Sequence, residues 1–252
     1  MSSKQHRSFH TETSNEANAR AVSADPSNAK YDLLYFQISC IGATPRHILS
    51  YGKANWTNRF PKDWKGNEEY DTPFGVMPVL TVRTDNEEAV LAESIVVDLY
   101  LAKKFGLLGS NEYEEQTIKA FYSSIHYLRE RSLRRLTWTF EDKRKEAFET
   151  WITKDFPNWI VLQEEHLKRN GSNGHFFGDK ITLADIHLAS ILDHFAELPR
   201  GNEIVDLFRA SPLLWKVREN VLQNPSIAEW RQSDEFQSIV QGGKNLYSAT
   251  AF

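Results

Sequence analysis

Apolar positions along the chain change their period near Gly109-Ser110. Before that point come short apolar runs: Tyr31-Asp32-Leu33-Leu34-Tyr35-Phe36, Asn55 to Phe60, Val79 to Arg83 and Ala89 to Ala92. Their lengths and their β-branched and aromatic content predict four strands. Between the first two, the Gly42-Ala43-Thr44-Pro45 break leads into Arg46-His47-Ile48-Leu49. It predicts a helix with Thr44 as N-cap and Pro45 at the first helical position. The polar stretch Thr84 to Glu88 joins the third and fourth runs as an antiparallel pair. Ser94 to Phe105 has a helical period, with Ile95, Leu99 and Ala102 on one face, and stops at Gly106. The order β-α-β followed by β-β-α predicts a thioredoxin-like half of about 75 residues.

Beyond Ser110 the strand signals cease. Tyr113 to Thr139 and Lys143 to Lys168 predict two long helices, the second interrupted at Pro157, whose ring and missing N–H break the ladder. Asn170 to Gly174 is a loop. In Ile181-Thr182-Leu183-Ala184-Asp185-Ile186, Thr182 as N-cap and Asp185 three residues on predict a capping box, and Ile181 with Ile186 a hydrophobic staple. The helix so opened, Leu183 to Leu198, reads as the central core helix. Pro212 and Pro225 each open a further helix, the last ending near Ser238. The expected organisation is a disordered tail over 1–29, a thioredoxin-like domain over 30–108, an all-helical domain over 109–240 and a C-terminal tail over 241–252. The fold class is α/β plus all-α.

Composition narrows the function. A chain of 252 residues with 40% hydrophobic and 25% charged residues reads as a soluble protein. With 30 basic against 34 acidic residues, no polyanion-binding surface is implied, so no nucleic-acid partner is expected. No apolar run reaches the roughly 18 residues that span a bilayer, so no membrane partner is expected either. The single cysteine, Cys40, excludes an internal disulfide and a multi-cysteine metal site and suits a reducing, cytoplasmic compartment. His126 and His187 lack partners at ligand spacing, so no metal is expected. The tail is rich in Ser, Asn, Ala and Glu without an apolar segment, unlike a secretory signal.

In Thr72-Pro73-Phe74-Gly75-Val76-Met77-Pro78-Val79-Leu80, Pro78 opens a strand to which it donates no ladder hydrogen bond. The stretch itself leaves the isomer open. A cis bond turns the Met77 main chain outward to pair with an extended peptide, and a trans bond makes an ordinary loop. With Tyr35-Phe36, Lys62-Asp63-Trp64, Glu93-Ser94, Phe177 to Asp185 and Pro225-Ser226-Ile227-Ala228-Glu229-Trp230, it resembles the cytosolic glutathione transferases, in particular the Tyr-dependent, sigma-like group related to prostaglandin D synthase. The resemblance covers residues 31 to about 235. It implies glutathione as co-substrate, transfer to a small hydrophobic electrophile, a homodimer across the first long helices and a cis Met77-Pro78 bond. It implies glutathione contacts from Tyr35, Trp64, Val76, Met77, Pro78, Glu93 and Ser94, with Tyr35 stabilising the thiolate.

The chain departs from that pattern at two places. The arginine expected to support the tyrosine stands as Ile41, within Ser39-Cys40-Ile41-Gly42-Ala43, and the acidic residue expected to reach a partner subunit's glutathione stands as Lys119. They keep two alternatives open: a Cys40-dependent thiol transferase or peroxidase-like enzyme, and a non-catalytic glutathione-binding module. Arg129, Arg131, Arg134 and Arg135 read as a solvated helix face, and Phe121, Tyr122, Tyr127, Trp138 and Phe140 as core or partial lining of an acceptor pocket.

Overall fold

The computed structural model describes residues 5–9, 15–136 and 140–248, without the side chains of 133–136. Strands β1 (Lys30–Leu34), β2 (Asn55–Arg59), β3 (Val79–Arg83) and β4 (Glu88–Ala92) form one mixed sheet in the order β2-β1-β3-β4. Helix α2 (Ala43–Tyr51) carries the chain across from β1, so β2 lies parallel to it. The short turn at residues 84–87 forces β4 antiparallel to β3. Arg83 closes that hairpin on Glu88 at 2.7 Å.

Helix α2 begins two residues earlier than expected, behind a 3₁₀ turn at Cys40–Gly42. Thr44 therefore caps nothing. Its hydroxyl lies under helix α7 (Leu183–Glu197) and pairs with His187 Nδ1 at 2.8 Å, since a buried hydroxyl needs a partner. Helix α3 (Ser94–Lys104) buries Val97, Leu101 and Ala102, whereas Ile95 stays 44% exposed, so its inner face is turned from the one the spacing indicated.

The helical half holds α4 (Glu112–Leu136), α5 (Glu141–Thr150), α6 (Phe156–Arg169), α7, α8 (Gly201–Arg209), α9 (Pro212–Leu222) and α10 (Pro225–Gln232). The break attributed to Pro157 is a π turn over Trp151–Asp155, ending two residues before it. The capping box forms as expected: Asp185 accepts the Thr182 N–H at 2.7 Å and its hydroxyl at 2.8 Å. Helix α7 is buried almost throughout and belongs to both main cores. Leu183, Ile186 and Ala189 meet the sheet side, and Leu188, Ile191 and Phe195 meet the aromatic cluster of Trp151, Phe156 and Phe208.

Both expected tails contain helix. Within the tail expected to be disordered, α1 (Asn15–Ser23) packs along the outer strand β4 and buries Ala21. Tyr100 donates to the Val22 carbonyl at 3.0 Å and Lys104 to that of Ala24 at 2.8 Å. An open sheet edge is a docking surface that local composition does not reveal. At the other end α11 (Asp234–Ser248) runs past Ser238, and its Gly242 lies so close to the Gln37 carbonyl that a Cβ there would sit 2.1 Å away.

Candidate functional site

Tyr35 follows β1 and continues its ladder with one bond, N–H to the Arg59 carbonyl at 3.1 Å. Its side chain is 5% exposed. One side of the ring lies against Gly42, where a Cβ would come within 2.3 Å of Cδ1. The guanidinium of Arg46 stands over the ring at 5.6 Å from its centroid. Arg46 is itself buried and donates to the carbonyls of Phe36 (2.9 Å) and Ile38 (2.7 Å) and to Asn58 Oδ1 (2.8 Å). It thereby ties down the loop that carries Tyr35. Burial lowers its pKa to about 10. Sequence reasoning missed this arginine as a support, because nothing at position 46 marks it apart from other helix arginines.

The Met77-Pro78 bond is cis. Met77 packs with Tyr35, Leu34, Ile38, Val79 and Ala92, and Cys40, Ile41 and Trp64 border the same small cluster. Among the described residues the Met77 N–H and C=O take no hydrogen bond, which leaves an extended backbone free to be paired. Trp64 is half-buried and meets Phe36 edge-on at 5.9 Å. Val76 and Glu93 are exposed at the rim. Glu93 has a left-handed φ of 74°, and Ser94 after it opens α3, whose first N–H groups have no intrahelical partner. Such a helix start favours a carboxylate. The fold therefore brings Tyr35, Trp64, Met77 and Pro78 together, with Glu93-Ser94 just beyond Ala92 of the same cluster.

Burial pushes the Tyr35 phenol well above its ordinary pKa of 10, and the neighbouring Cys40 adds to the rise. Tyr247 of α11 is raised in the same way, first by burial and then by Cys40. Cys40 is half-buried, held at φ 35°, with Nη1 of Arg129 3.9 Å from its sulfur. Arg129 corrects one expectation: it is 4% exposed and points inward from α4. Arg131 does face outward and pairs with Asp155 at 3.5 Å. Arg134, Arg135 and Trp138 lie outside the described side chains. Phe121 and Tyr122 are core, and Tyr127 and Phe140 are exposed. Lys119 pairs with Glu115 one turn back on α4.

A narrow cavity next to Cys40 is lined by Ser94, Asp98, His126, Arg129 and His187. Among the described residues, Asp98 Oδ1, His126 Nδ1, Arg129 Nε and His187 Nε2 have no hydrogen-bond partner. Burial raises Asp98 to about 8, even with the Tyr122 hydroxyl donating to it at 2.8 Å, and lowers His126 to about 4. Among the described residues no cluster of three or more His, Cys, Asp or Glu side chains has metal-site geometry. A wider cavity, about 600 Å³, lies elsewhere, between the N-terminal segment and β4, and none of the residues above lines it.

Comparison with known proteins bears on the fold and the family. A family profile described as "Glutathione S-transferase, C-terminal domain" matches residues 126–234. Glutathione S-transferase 1 of Ascaris suum is 30% identical over 207 residues, 80% of this chain and 95% of that protein. Probable glutathione S-transferase 9 of Caenorhabditis elegans is 30% identical over 183 residues, 71% of this chain and 85% of that one. The solved prostaglandin synthase D of Nilaparvata lugens superposes with a TM-score of 0.70 at 26% identity, covering 81% of this chain and 98% of its own. With relatives of this similarity matched over most of their length, and with a mixed sheet of their topology followed by helices, the chain belongs to the glutathione S-transferase family.

Proposed function

We propose that this glutathione S-transferase conjugates the glutathione thiolate to small hydrophobic electrophiles, with the Tyr35 hydroxyl donating a hydrogen bond to the sulfur. The observation that carries the reading is the buried contact between Tyr35 and Met77, whose main chain is unpaired beside a cis proline. Glutathione is an extended tripeptide. In this reading its cysteinyl unit pairs with the Met77 backbone, its γ-glutamyl carboxylate meets the first N–H groups of α3 at Ser94, and its ammonium approaches Glu93. Trp64 contacts the glycyl end, with Val76 and Pro78 completing the wall.

A free thiol of pKa near 8.5 is only a few per cent ionised at pH 7, and lowering it by two units requires about 2.7 kcal/mol of preference for the anion. Tyr35 supplies part of that as a donor. Its raised pKa keeps the phenol protonated, so it stabilises the thiolate and does not act as a base. The thiol proton leaves to solvent. The thiolate attacks the electrophilic carbon, a carbon–sulfur bond forms, and the leaving group departs with its electron pair.

In this reading residues 30–108 bind glutathione and the helical half from 109 onward borders the acceptor. A homodimer across α3 and α4 is supported by the exposed Ile95, Val96 and Tyr127, and a reducing, cytoplasmic setting by the free Cys40. Initial rates with glutathione and an aryl halide test the reading. Tyr35→Phe is expected to lower kcat about 10- to 100-fold at neutral pH, and unchanged turnover removes Tyr35 from its role. Glutathione at 100 times its Kd is expected to stabilise the protein by about 2.7 kcal/mol in a thermal melt.

A further inference from the structure

We propose that Glu197, the last residue of α7, is a positioning residue for Tyr35: through the hydroxyl of Ser39 it holds the loop that follows Tyr35 against the helical half. Its role depends on the one proposed for Tyr35 above. Ser39 lies on that loop, and its hydroxyl donates to Glu197 Oε1. Both side chains are buried. A carboxyl removed from water is costly unless it is paired, so the Ser39 bond is the kind of contact that fixes backbone on both sides of it.

The same carboxyl also faces α11. Its Oε2 takes no hydrogen bond among the described residues and is turned to Gly243, where a Cβ would overlap it. Gly242, one residue earlier, presses on the Gln37 carbonyl in the same manner, and the Gln37 amide donates to Ser238 Oγ of α11. Tyr247, one turn further on, lies edge-on to His194 at 5.6 Å and reaches Cys40. Gln37, Ser39 and Cys40 therefore meet α7 or α11, while Arg46 of α2 holds the carbonyls of Phe36 and Ile38. Glu197 touches the loop and α11 at once, so the segment that carries Tyr35 is fixed between the two halves of the chain.

Burial raises the Glu197 pKa to about 8 against the hydrogen bond from Ser39, so at neutral pH the group is a neutral acid. It adds no charge beside the sulfur. What it supplies is a point of attachment, and it acts through Ser39 rather than on the reacting atoms. Without that attachment the loop is free to shift, and a reacting group displaced by about 1 Å loses up to roughly 100-fold. In the proposed site glutathione is held by Met77 and by the start of α3, which Glu197 does not support. Loss of the attachment therefore falls on kcat and spares glutathione binding, whereas a merely structural role would lower stability and leave the turnover of folded enzyme unchanged.

The test is steady-state turnover of the full chain with glutathione and an aryl halide, with thermal melts in S-methylglutathione to report on the glutathione site. Glu197→Ala is expected to lower kcat about 5- to 30-fold with KM for glutathione within about twofold of the parent. Glu197→Gln keeps an acceptor at the same reach and matches the neutral acid, and is expected to retain kcat within about twofold. Ser39→Ala removes the same bond from the loop side and is expected to match Glu197→Ala, with the double variant losing no more than either. In a Tyr35→Phe background Glu197→Ala is expected to cost nothing further. Circular dichroism and a parent-sized melt shift confirm that each variant is folded with its glutathione site intact, and if Glu197→Ala does not fold, Ser39→Ala decides alone. Parent kcat in Ser39→Ala, equal losses in Glu197→Gln and Glu197→Ala, or full additivity with Tyr35→Phe overturns the proposal. Parent turnover in Tyr35→Phe removes the role of Tyr35 and that of Glu197 with it. A loss in Tyr35→Phe beside parent turnover in Glu197→Ala and Ser39→Ala leaves Tyr35 in place and removes Glu197 alone.

Discussion

Gly42→Ala probes how tightly the fold positions Tyr35. Gly42 has right-handed helical backbone (φ −80°, ψ −13°), which alanine adopts freely, so the substitution acts through its methyl group alone. That methyl would lie 2.3 Å from Tyr35 Cδ1 and 2.8 Å from Cγ. Restoring ordinary contact moves the ring by about 1 Å. The ring cannot retreat freely, because the Arg46 guanidinium covers it and the Met77 cluster packs around it. Overpacking of this kind costs about 1–3 kcal/mol, offset by about 0.4–1 kcal/mol from the stiffer unfolded chain. The larger effect falls on chemistry, since a reacting group displaced by about 1 Å loses up to roughly 100-fold. Expected is a 10- to 100-fold fall in kcat with an aryl halide, with the thermal shift by glutathione nearly unchanged. The decisive measurement is the double variant. If Gly42→Ala acts only by moving the hydroxyl, it costs nothing further in a Tyr35→Phe background. Full additivity of the two losses, or parent kcat in Gly42→Ala alone, would refute the reasoning.

Ser94→Ala should raise KM for glutathione about 5- to 10-fold with little change in kcat, through loss of one hydrogen bond of about 1 kcal/mol, as measured by steady-state titration. Asp185→Ala removes a fully buried carboxylate that accepts from Thr182 and from the Phe176 N–H at 2.9 Å, and should lower Tm by about 5–10 °C in calorimetry. Stability should also fall on either side of about pH 6.5, with two sets of groups responsible. His47 and His126, with pKa lowered to about 4, and His194, lowered to about 3, have stability present above 6.5 that is lost as pH falls. Asp98 and Glu197, raised to about 8, contribute stability that is lost as pH rises through that value. Each raised carboxylate changes stability by at most about 1.4 kcal/mol per pH unit. A urea midpoint higher at pH 8 than at 6.5 would contradict the assignment, and Asp98→Asn with Glu197→Gln should flatten the alkaline fall.

Much of the fold was legible because its signals are local. Four runs of strand-like residues, the Thr182-Asp185 box and the helix-opening prolines at 212 and 225 each specify an element within a few residues. What escaped depends on partners distant in sequence. Helix α1 is polar and undistinguished in sequence, and it is ordered by the β4 edge and by Tyr100 and Lys104. The face α3 buries is set by the sheet beneath it and not by its own weak periodicity, so Ile95 came out exposed and Val97 buried. The extension of α11 through two glycines runs against helix propensity. It is explained by the close approach to Gln37 and Glu197 that only glycine allows.

The site divides the same way. Tyr35, Met77 and Pro78 lie in short recognisable stretches, and the fold gathers them as their order suggested. The charge near the sulfur was misread, because a motif specifies residues by spacing along the chain and a thiolate responds only to distance in space. Ile41 occupies the position where an arginine was expected, and it packs with Tyr35 and Met77. Arg46 stands over the Tyr35 ring, and Arg129 reaches Cys40 from a helix 89 residues later in sequence. An exposed arginine on α4 would be screened by water and of little consequence, whereas Arg129 is buried and acts in a medium of lower dielectric. Loss of the local arginine is therefore no argument for an inactive site. It moves the cation from the strand side of the cleft to the helical side, where Arg129 lies 3.9 Å from the Cys40 sulfur.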